Sequence, residues 1–315
     1  MSSLNAKGMV ELLGSRTGFL CNFQSPHRLG RLFPSTPLSP ITMPVSDSRS
    51  LSPAQVRSLC RQNNFQESTT ASFCNGYVQA NLIILPEKYA EDFRNLCARN
   101  PVSCPLIGET RPGDPRVPDH LAANCDIRTD LPRYNIYRDG KFVEAKDSIE
   151  KEWKSDSIAF LIGCSYSFEA ALCTSGLTPR HVEIGRNVPM YKTQVSLMPA
   201  GVFSGRMIVS MRPYPAGAVD VVRAITRPYV RAHGEPVAWG VDGARALGID
   251  DIIGLNPDHG DPSDIRAGEV PVYWGCGVTP QQVVIDSGIP GTVISHAPGH
   301  MLVLDQHIAD VCRFN

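Results

Sequence analysis

The sequence predicts an α/β fold: a mixed sheet with flanking helices, plus a smaller inserted α+β subdomain. Three observations carry this. Strand-sized apolar runs bounded by Gly or Pro alternate with stretches whose apolar residues recur at helical spacing. Two of those runs, 158–163 and 270–275, end in Gly-Cys and lead straight into helical patterns. Between them, residues 178–241 turn β-rich. The expected organisation is a presequence-like extension over 1–48, a main catalytic subdomain from 49–177 and 242–315, and an insertion over 178–241 between two parallel-sheet units.

The elements follow in order. Residues 1–45 carry Lys7, Arg16, Arg28 and Arg31 against a single acid, Glu11, and prolines recur at 34, 37, 40 and 44. Such an Arg- and Ser-rich, acid-poor start suits an organelle presequence followed by a linker, which predicts the mitochondrial matrix, with the cytoplasm as the alternative. Ser52-Pro53 opens the first helix. The apolar run closing at Pro86 is a strand stopped by proline. Tyr89, Phe93, Leu96 and Cys97 then share a helical face. Prolines 101, 105, 112, 115 and 118 keep the next stretch in loops. Asp139-Gly140 is a hairpin turn. A buried strand over 155–163 precedes a helix over 167–175, ended by Gly176. Strands are expected at 188–193 and 206–211, and a helix over 216–231 that Pro228 shortens. A strand at 268–275, a helix at 279–287, strands at 291–295 and 301–305, and a terminal helix complete the chain.

Composition excludes several functions. The 30 basic and 31 acidic residues nearly cancel, which argues against nucleic acid or an anionic membrane as partner. No apolar run reaches the ~20 residues of a membrane span. Ten cysteines without a CxxC pair form neither a zinc ribbon nor a disulfide framework, and imply a reducing compartment. GxGxxG, Walker, GxSxG and HExxH motifs are missing, so dinucleotide, NTP and familiar hydrolase chemistry lack support. No cofactor is predicted, and a divalent ion has no ligand motif to hold it. Self-association into a homo-oligomer is left open.

The candidate site residues come from the strand ends. Cys276 sits between Gly275 and Gly277, with Thr279 beyond, and Cys164 between Gly163 and Ser165. Glycine flanks allow a sharp bend and close approach of a ligand to the main chain. A following helix N-terminus lowers a thiol pKa or binds a carboxylate. Three readings stand: two thiols acting as acid and base, backbone N–H groups forming anion holes beside compact cysteines, or two core cysteines. His296 and His300 flank Pro298-Gly299, so they lie on a loop rather than at helical zinc spacing, and either is a candidate for proton transfer. Arg128, between Asp126 and Asp130, and Arg212, at a strand end, are candidates to grip a substrate carboxylate. His233 and His259 fall in loops that read as solvated turns. The expected catalytic set is Cys276, Cys164, His296 and His300. Arg128, Arg212, Gly163, Ser165, Gly277, Thr279 and Asp130 are expected at the substrate, with no metal.

Several segments together carry a resemblance. They are Asn81-Leu82-Ile83-Ile84-Leu85-Pro86, Asp126-Ile127-Arg128-Thr129-Asp130-Leu131-Pro132-Arg133-Tyr134, Gly163-Cys164-Ser165-Tyr166-Ser167-Phe168-Glu169, Asn187-Val188-Pro189-Met190-Tyr191, Val209-Ser210-Met211-Arg212-Pro213, Cys276-Gly277-Val278-Thr279-Pro280-Gln281 and His296-Ala297-Pro298-Gly299-His300-Met301. In this order, from about Leu51 onward, they resemble the D-glutamate cyclase family, whose bacterial members carry a hydro-lyase label. The resemblance implies an α/β fold of two interlocked subdomains. It also implies a lyase that closes D-glutamate, a small amino diacid, to 5-oxo-D-proline with loss of water. It brings no catalytic residue list. The cyclase activity is associated with longer members bearing a second C-terminal domain, and this chain is more similar to the compact bacterial form. Two other functions are weighed beside it: a cofactor-independent amino-acid racemase or epimerase using both thiols, and a non-catalytic binding protein for a carboxylate metabolite.

Overall fold

The computed structural model describes residues 50–71, 73–251 and 254–312. The presequence-like stretch, 1–48, lies outside the described residues. The first half of the chain runs α1 (Pro53–Arg61), β1 (Tyr77–Pro86), α2 (Ala90–Arg99), β2 (Leu106–Glu109), β3 (Tyr134–Arg138), β4 (Lys141–Lys146), β5 (Ser157–Gly163), α3 (Tyr166–Thr174) and α4 (Arg180–Glu183). The second runs β6 (Met190–Ser196), β7 (Arg206–Pro215), α5 (Val219–Thr226), β8 (Ala238–Trp239), α6 (Gly240–Leu247), β9 (Glu269–Gly275), α7 (Val278–Asp286), β10 (Thr292–His296), β11 (Leu302–His307) and α8 (Ile308–Val311).

Local chemistry accounts for the boundaries. Ser52 and Gln55 form a capping box at α1, with Pro53 in its first turn. Asp139 and Gly140 both take positive φ, 50° and 75°, as a tight hairpin between β3 and β4 requires. The helix expected over 216–231 stops at Thr226, two residues before Pro228.

The strands form two open sheets. The seven-stranded sheet has the order β2-β5-β1-β10-β3-β4, with β11 pairing β1 beside β10. The four-stranded sheet has the order β6-β7-β9-β8. The α/β class with flanking helices therefore holds. The parallel-sheet units expected on either side of the insertion do not: every described pairing runs antiparallel. A second correction concerns residues 269–275, expected in the main sheet. They instead pair with β7, from Val209↔Gly275 to Pro215↔Glu269. Apolar periodicity marks a strand but does not choose its neighbour.

Parity along β1 shows how the sheets combine. Ile83 and Leu85 face one core, while Val78, Ala80, Leu82 and Ile84 face another. A strand buried on both faces reads as a continuous apolar run, which is why 77–86 shows little polar alternation. The first core joins Ile83, Phe160 and Ile162 of the larger sheet to Tyr191, Val209, Met211 and Tyr273 of the smaller, with Phe93 of α2 and Val283 of α7 between. The Phe93 and Phe160 rings meet at a tilt of 54°, with centroids 4.8 Å apart, and both are fully buried. Each such side chain contributes about 1.5–3 kcal/mol of transfer free energy. This shared core locks the ends of β5 and β9 together.

Candidate active site

β5 and β9 end alike. Each delivers a cysteine to the mouth of a helix, α3 or α7. A β-carbon on Gly163 would overlap the Arg231 carbonyl, and one on Gly275 would lie 2.8 Å from the Val102 carbonyl oxygen. Backbone crowds both corners, so only glycine fits. The Ser167 N–H donates to the Cys164 carbonyl at 3.0 Å. The Thr279 N–H likewise donates to the Cys276 carbonyl at 2.9 Å. Neither helix has a side-chain cap. Ser165 N–H and Gly277 N–H have no acceptor among the described residues, and both residues line one cavity.

That cavity measures about 110 Å³. A single water needs roughly 10–15 Å³, so the space suits a molecule of several heavy atoms. Asn81, Cys164, Ser165, Cys276, Gly277 and His296 contribute its polar wall, and Val188, Met190, Ile285 and Met301 its apolar one. Among the described residues, no Arg, Lys, Asp or Glu lines it. Charge on a ligand there would be met by the two helix N-termini.

Both thiols are protonated at neutral pH. Burial pushes Cys164 up to about 12, and the Tyr166 N–H only partly offsets this. Burial raises Cys276 to about 11, against the Val278 N–H and the charge of Arg212. The expectation that a helix N-terminus depresses a thiol pKa fails here, because desolvation outweighs the helix end. His296 is buried and brought down to about 4 by desolvation, so it is neutral. The Leu82 N–H donates to its Nδ1 at 3.0 Å, which leaves the ring proton on Nε2. The Gln281 carboxamide packs on the same ring, 2.6 Å from Nδ1.

Cys164, Cys276, His296, Ser165 and Gly277 thus share the cavity. Six other expected residues do not line it. His300 lies in a separate surface hollow with Arg133 and Asp147. Gly299, at φ 81°, turns the chain so that Pro298 and Gly299 face the cavity and His300 faces away. Arg128 grips Asp126, 2.6 Å from its carboxylate, and Asp130 is buried against Arg61. Flanking acids hold these guanidinium groups for structure rather than for a ligand. Gly163 serves the close approach to Arg231 and offers no lining atom. Thr279 is buried, its hydroxyl donating to the Ile208 carbonyl and accepting the Ile208 N–H, each at 3.0 Å.

Arg212 is the largest departure. It is wholly buried beneath α3. Its Nε donates to Glu169 at 3.1 Å, Nη1 to Ser210 at 3.0 Å and Nη2 to Ser165 at 2.9 Å. The guanidinium also lies 5.2 Å from the Phe168 ring centre and 5.3 Å from that of Trp274. Burial alone would raise the Glu169 carboxyl, but His181 and Arg212 reverse this and hold it near 2. His181 Nε2 is 3.0 Å from that carboxylate, though poorly aligned for a hydrogen bond. Arg212 therefore reaches the cavity only through Ser165.

Sequence reasoning missed Asn81, Gln281 and His259. Asn81 had a signal: a polar residue inside an otherwise apolar strand. His259 had none, since its loop reads as a solvated turn. Its backbone pairs with Met190, and its side chain lines the cavity with a buried, unpartnered Nε2. Among the described residues, no three His, Cys, Asp or Glu side chains cluster as a metal site.

A small, partly open cavity with two thiols, an imidazole and unspent backbone donors suits an enzyme acting on a small molecule. Comparison with known proteins gives the family. The D-glutamate cyclase family model matches residues 158–305. A Schizosaccharomyces pombe protein named "Putative hydro-lyase" is 49% identical over 255 residues, covering 80% of this chain and 84% of its own. Relatives with the same designation include one from Stutzerimonas stutzeri, 49% identical over 84% of this chain and 97% of its own. One from Bordetella pertussis is 52% identical over 75% and 83%. The chain belongs to the D-glutamate cyclase family of hydro-lyases.

Proposed function

We propose that this cavity binds D-glutamate and closes it to 5-oxo-D-proline with loss of water. The observation that carries the reading is the pair of uncapped helix N-termini, with free Ser165 and Gly277 N–H groups, at one cavity lined by no Arg or Lys among the described residues. Two anion-binding corners match a substrate with two carboxyl groups. One corner holds the α-carboxylate. The other polarises the γ-carboxyl and stabilises the oxyanion as it forms.

The α-nitrogen attacks the γ-carbon, a C–N bond forms, and one C–O bond breaks. The two protons lost from the ammonium leave with that oxygen as water. A thiol held at about 12 or about 11 is a proton donor at neutral pH. It gives its proton to the departing oxygen, regains one from nitrogen and ends unchanged. His296 Nε2–H is a second donor. Confinement of amine and carboxyl supplies much of the rate, since effective molarities reach roughly 10⁵ M or more.

Incubation of the purified chain with D- and L-glutamate tests this, with 5-oxo-D-proline expected from the D-isomer. No product from either isomer refutes the reading. A second reading rests on the two protonated thiols in one cavity, which also suit proton exchange at Cα. Deuterium entering Cα without ring formation decides for it.

A further inference from the structure

We propose that Asn81 receives the substrate's α-amino group and aims its lone pair at the carboxyl carbon. The inference rests on the ring-closing reading above and assigns the one substrate group that reading leaves unheld.

β1 carries two buried amides, and they differ in how they are spent. Gln79 is satisfied at both ends: its Oε1 accepts from the Thr70 hydroxyl at 2.8 Å, and its Nε2 donates to the Thr70 carbonyl at 2.9 Å. Asn81 is satisfied at one. Its Nδ2 donates to the Gly163 carbonyl at 2.9 Å and the Ile162 carbonyl at 3.3 Å. No described group donates to its Oδ1. An amide offers two donors and one acceptor oxygen, so the donor end is used up and the acceptor end is outstanding. The orientation is fixed, because reversing the amide would set Oδ1 against two carbonyl oxygens. Asn81 is 4% exposed, and it lines the cavity. With its donor end tied to β5, the acceptor end of Asn81 is left for a donor that enters the cavity.

Two neighbours hold the amide there. Gly277 has no side chain, and a β-carbon on it would overlap the Asn81 carboxamide. Gly163, whose carbonyl receives Nδ2, precedes Cys164 directly. The amide therefore ties together the two Gly-Cys corners. Beside the mixed donor–acceptor side chains of Asn135, His259, Gln281, Gln282 and Ser295, the wall supplies donors: the Ser165 and Gly277 N–H groups, two thiols and His296 Nε2–H. Carboxylates accept from all of these. The amine is the substrate group that needs an acceptor. An N–H bond held by Oδ1 turns the nitrogen lone pair away from Asn81, towards the carboxyl at the opposite corner.

The test uses the full chain, D-glutamate as substrate and glutarate, which lacks the amine, as competitive inhibitor. Asn81→Ala and Asn81→Ser are both made and checked by thermal melting. Serine keeps a hydroxyl donor near the Gly163 carbonyl and is the variant read where alanine does not fold. Loss of a hydrogen bond to the amine should lower kcat/KM for D-glutamate about tenfold to hundredfold, with the glutarate inhibition constant within about twofold of wild type. Glutarate inhibition that weakens in step with kcat/KM would show that Asn81 only shapes the cavity, and so would unchanged kcat/KM. If the wild type makes no 5-oxoproline, the ring-closing reading falls first and this inference with it. Wild-type turnover with an indifferent Asn81 overturns the inference alone.

Discussion

The two Gly-Cys corners share a backbone pattern but are anchored by different physics. At the β5–α3 corner, the first helical turn is secured by a buried charge: Arg212 binds Glu169 within α3 and Ser165 at its start. At the β9–α7 corner, the matching role falls to a neutral hydroxyl, with Thr279 exchanging two hydrogen bonds with the Ile208 backbone. A buried ion pair is costly to assemble and costly to break, whereas a hydroxyl–backbone pair is modest in both. One corner is thus rigidly fixed by charge, and the other depends on close packing of Gly277 against Asn81. The lesson is that a repeated motif predicts repeated geometry without predicting repeated support.

The largest expected effect tests whether the corners are chemically equivalent. Cys164→Ala and Cys276→Ala should each lower kcat for 5-oxoproline formation by roughly 10²–10⁴-fold if that thiol transfers a proton. Steady-state kinetics on each variant decides it, and a large loss in only one would break the symmetry. Next comes Arg212→Met, which strands Glu169 in the core. Removing one partner of a buried pair costs about 3–5 kcal/mol, read as a fall in the urea midpoint. Thr279→Val should cost only about 1 kcal/mol in the same assay; equal losses would refute the contrast drawn here.

Smaller effects sharpen it. His233 sits buried behind the β5 corner, its Nδ1 2.8 Å from the Val102 carbonyl oxygen, and burial brings it down to about 4. His296 is held at about 4 as well. Above pH 6.5 both are neutral whether folded or not. As pH falls, the unfolded chain takes up protons first, so stability declines between about 6.5 and 4 by up to roughly 1.4 kcal/mol per pH unit per group. Below 4 their loss is complete. His233→Asn, compatible with the positive φ of 81° at that position, should flatten that decline, measured by urea unfolding at pH 4.5, 5.5 and 7. The smallest effect is a near-absence: iodoacetamide at pH 7.5 should label Cys164 and Cys276 slowly, because neither is a thiolate there. Mass spectrometry showing rapid labelling of either would contradict the raised pKa values.

The difference between legible and illegible features follows from range along the chain. α1, β1, the Asp139-Gly140 hairpin and the stop before Pro228 each depend on a few adjacent residues, and each was readable. So were Cys164 and Cys276, because Gly-Cys marks a strand end by itself; His296, read as a loop residue and a proton-transfer candidate, is the last residue of β10. Arg128 and Arg212 misled because a guanidinium near acids or at a strand end looks the same whether it awaits a ligand or already has its partner. Glu169 lies 43 positions from Arg212, beyond any local pattern. Asn81 stood in plain view as a polar break in β1, yet its significance depends on the carbonyls of β5 and on the bare Cα of Gly277.

The sequence by itself marked α1, the end of β1, the Asp139-Gly140 hairpin and which cysteines stand at strand ends, because those outcomes are set by steric and hydrogen-bonding limits within a few residues; β2, inside the stretch read as loops, and α6 escaped it. Tertiary structure alone decided that β9 joins the smaller sheet, that Arg212 is sealed beneath α3, and that both thiols remain protonated. Strand partnership and desolvation are sums over residues far apart in the chain, and they take a value only once the core has closed.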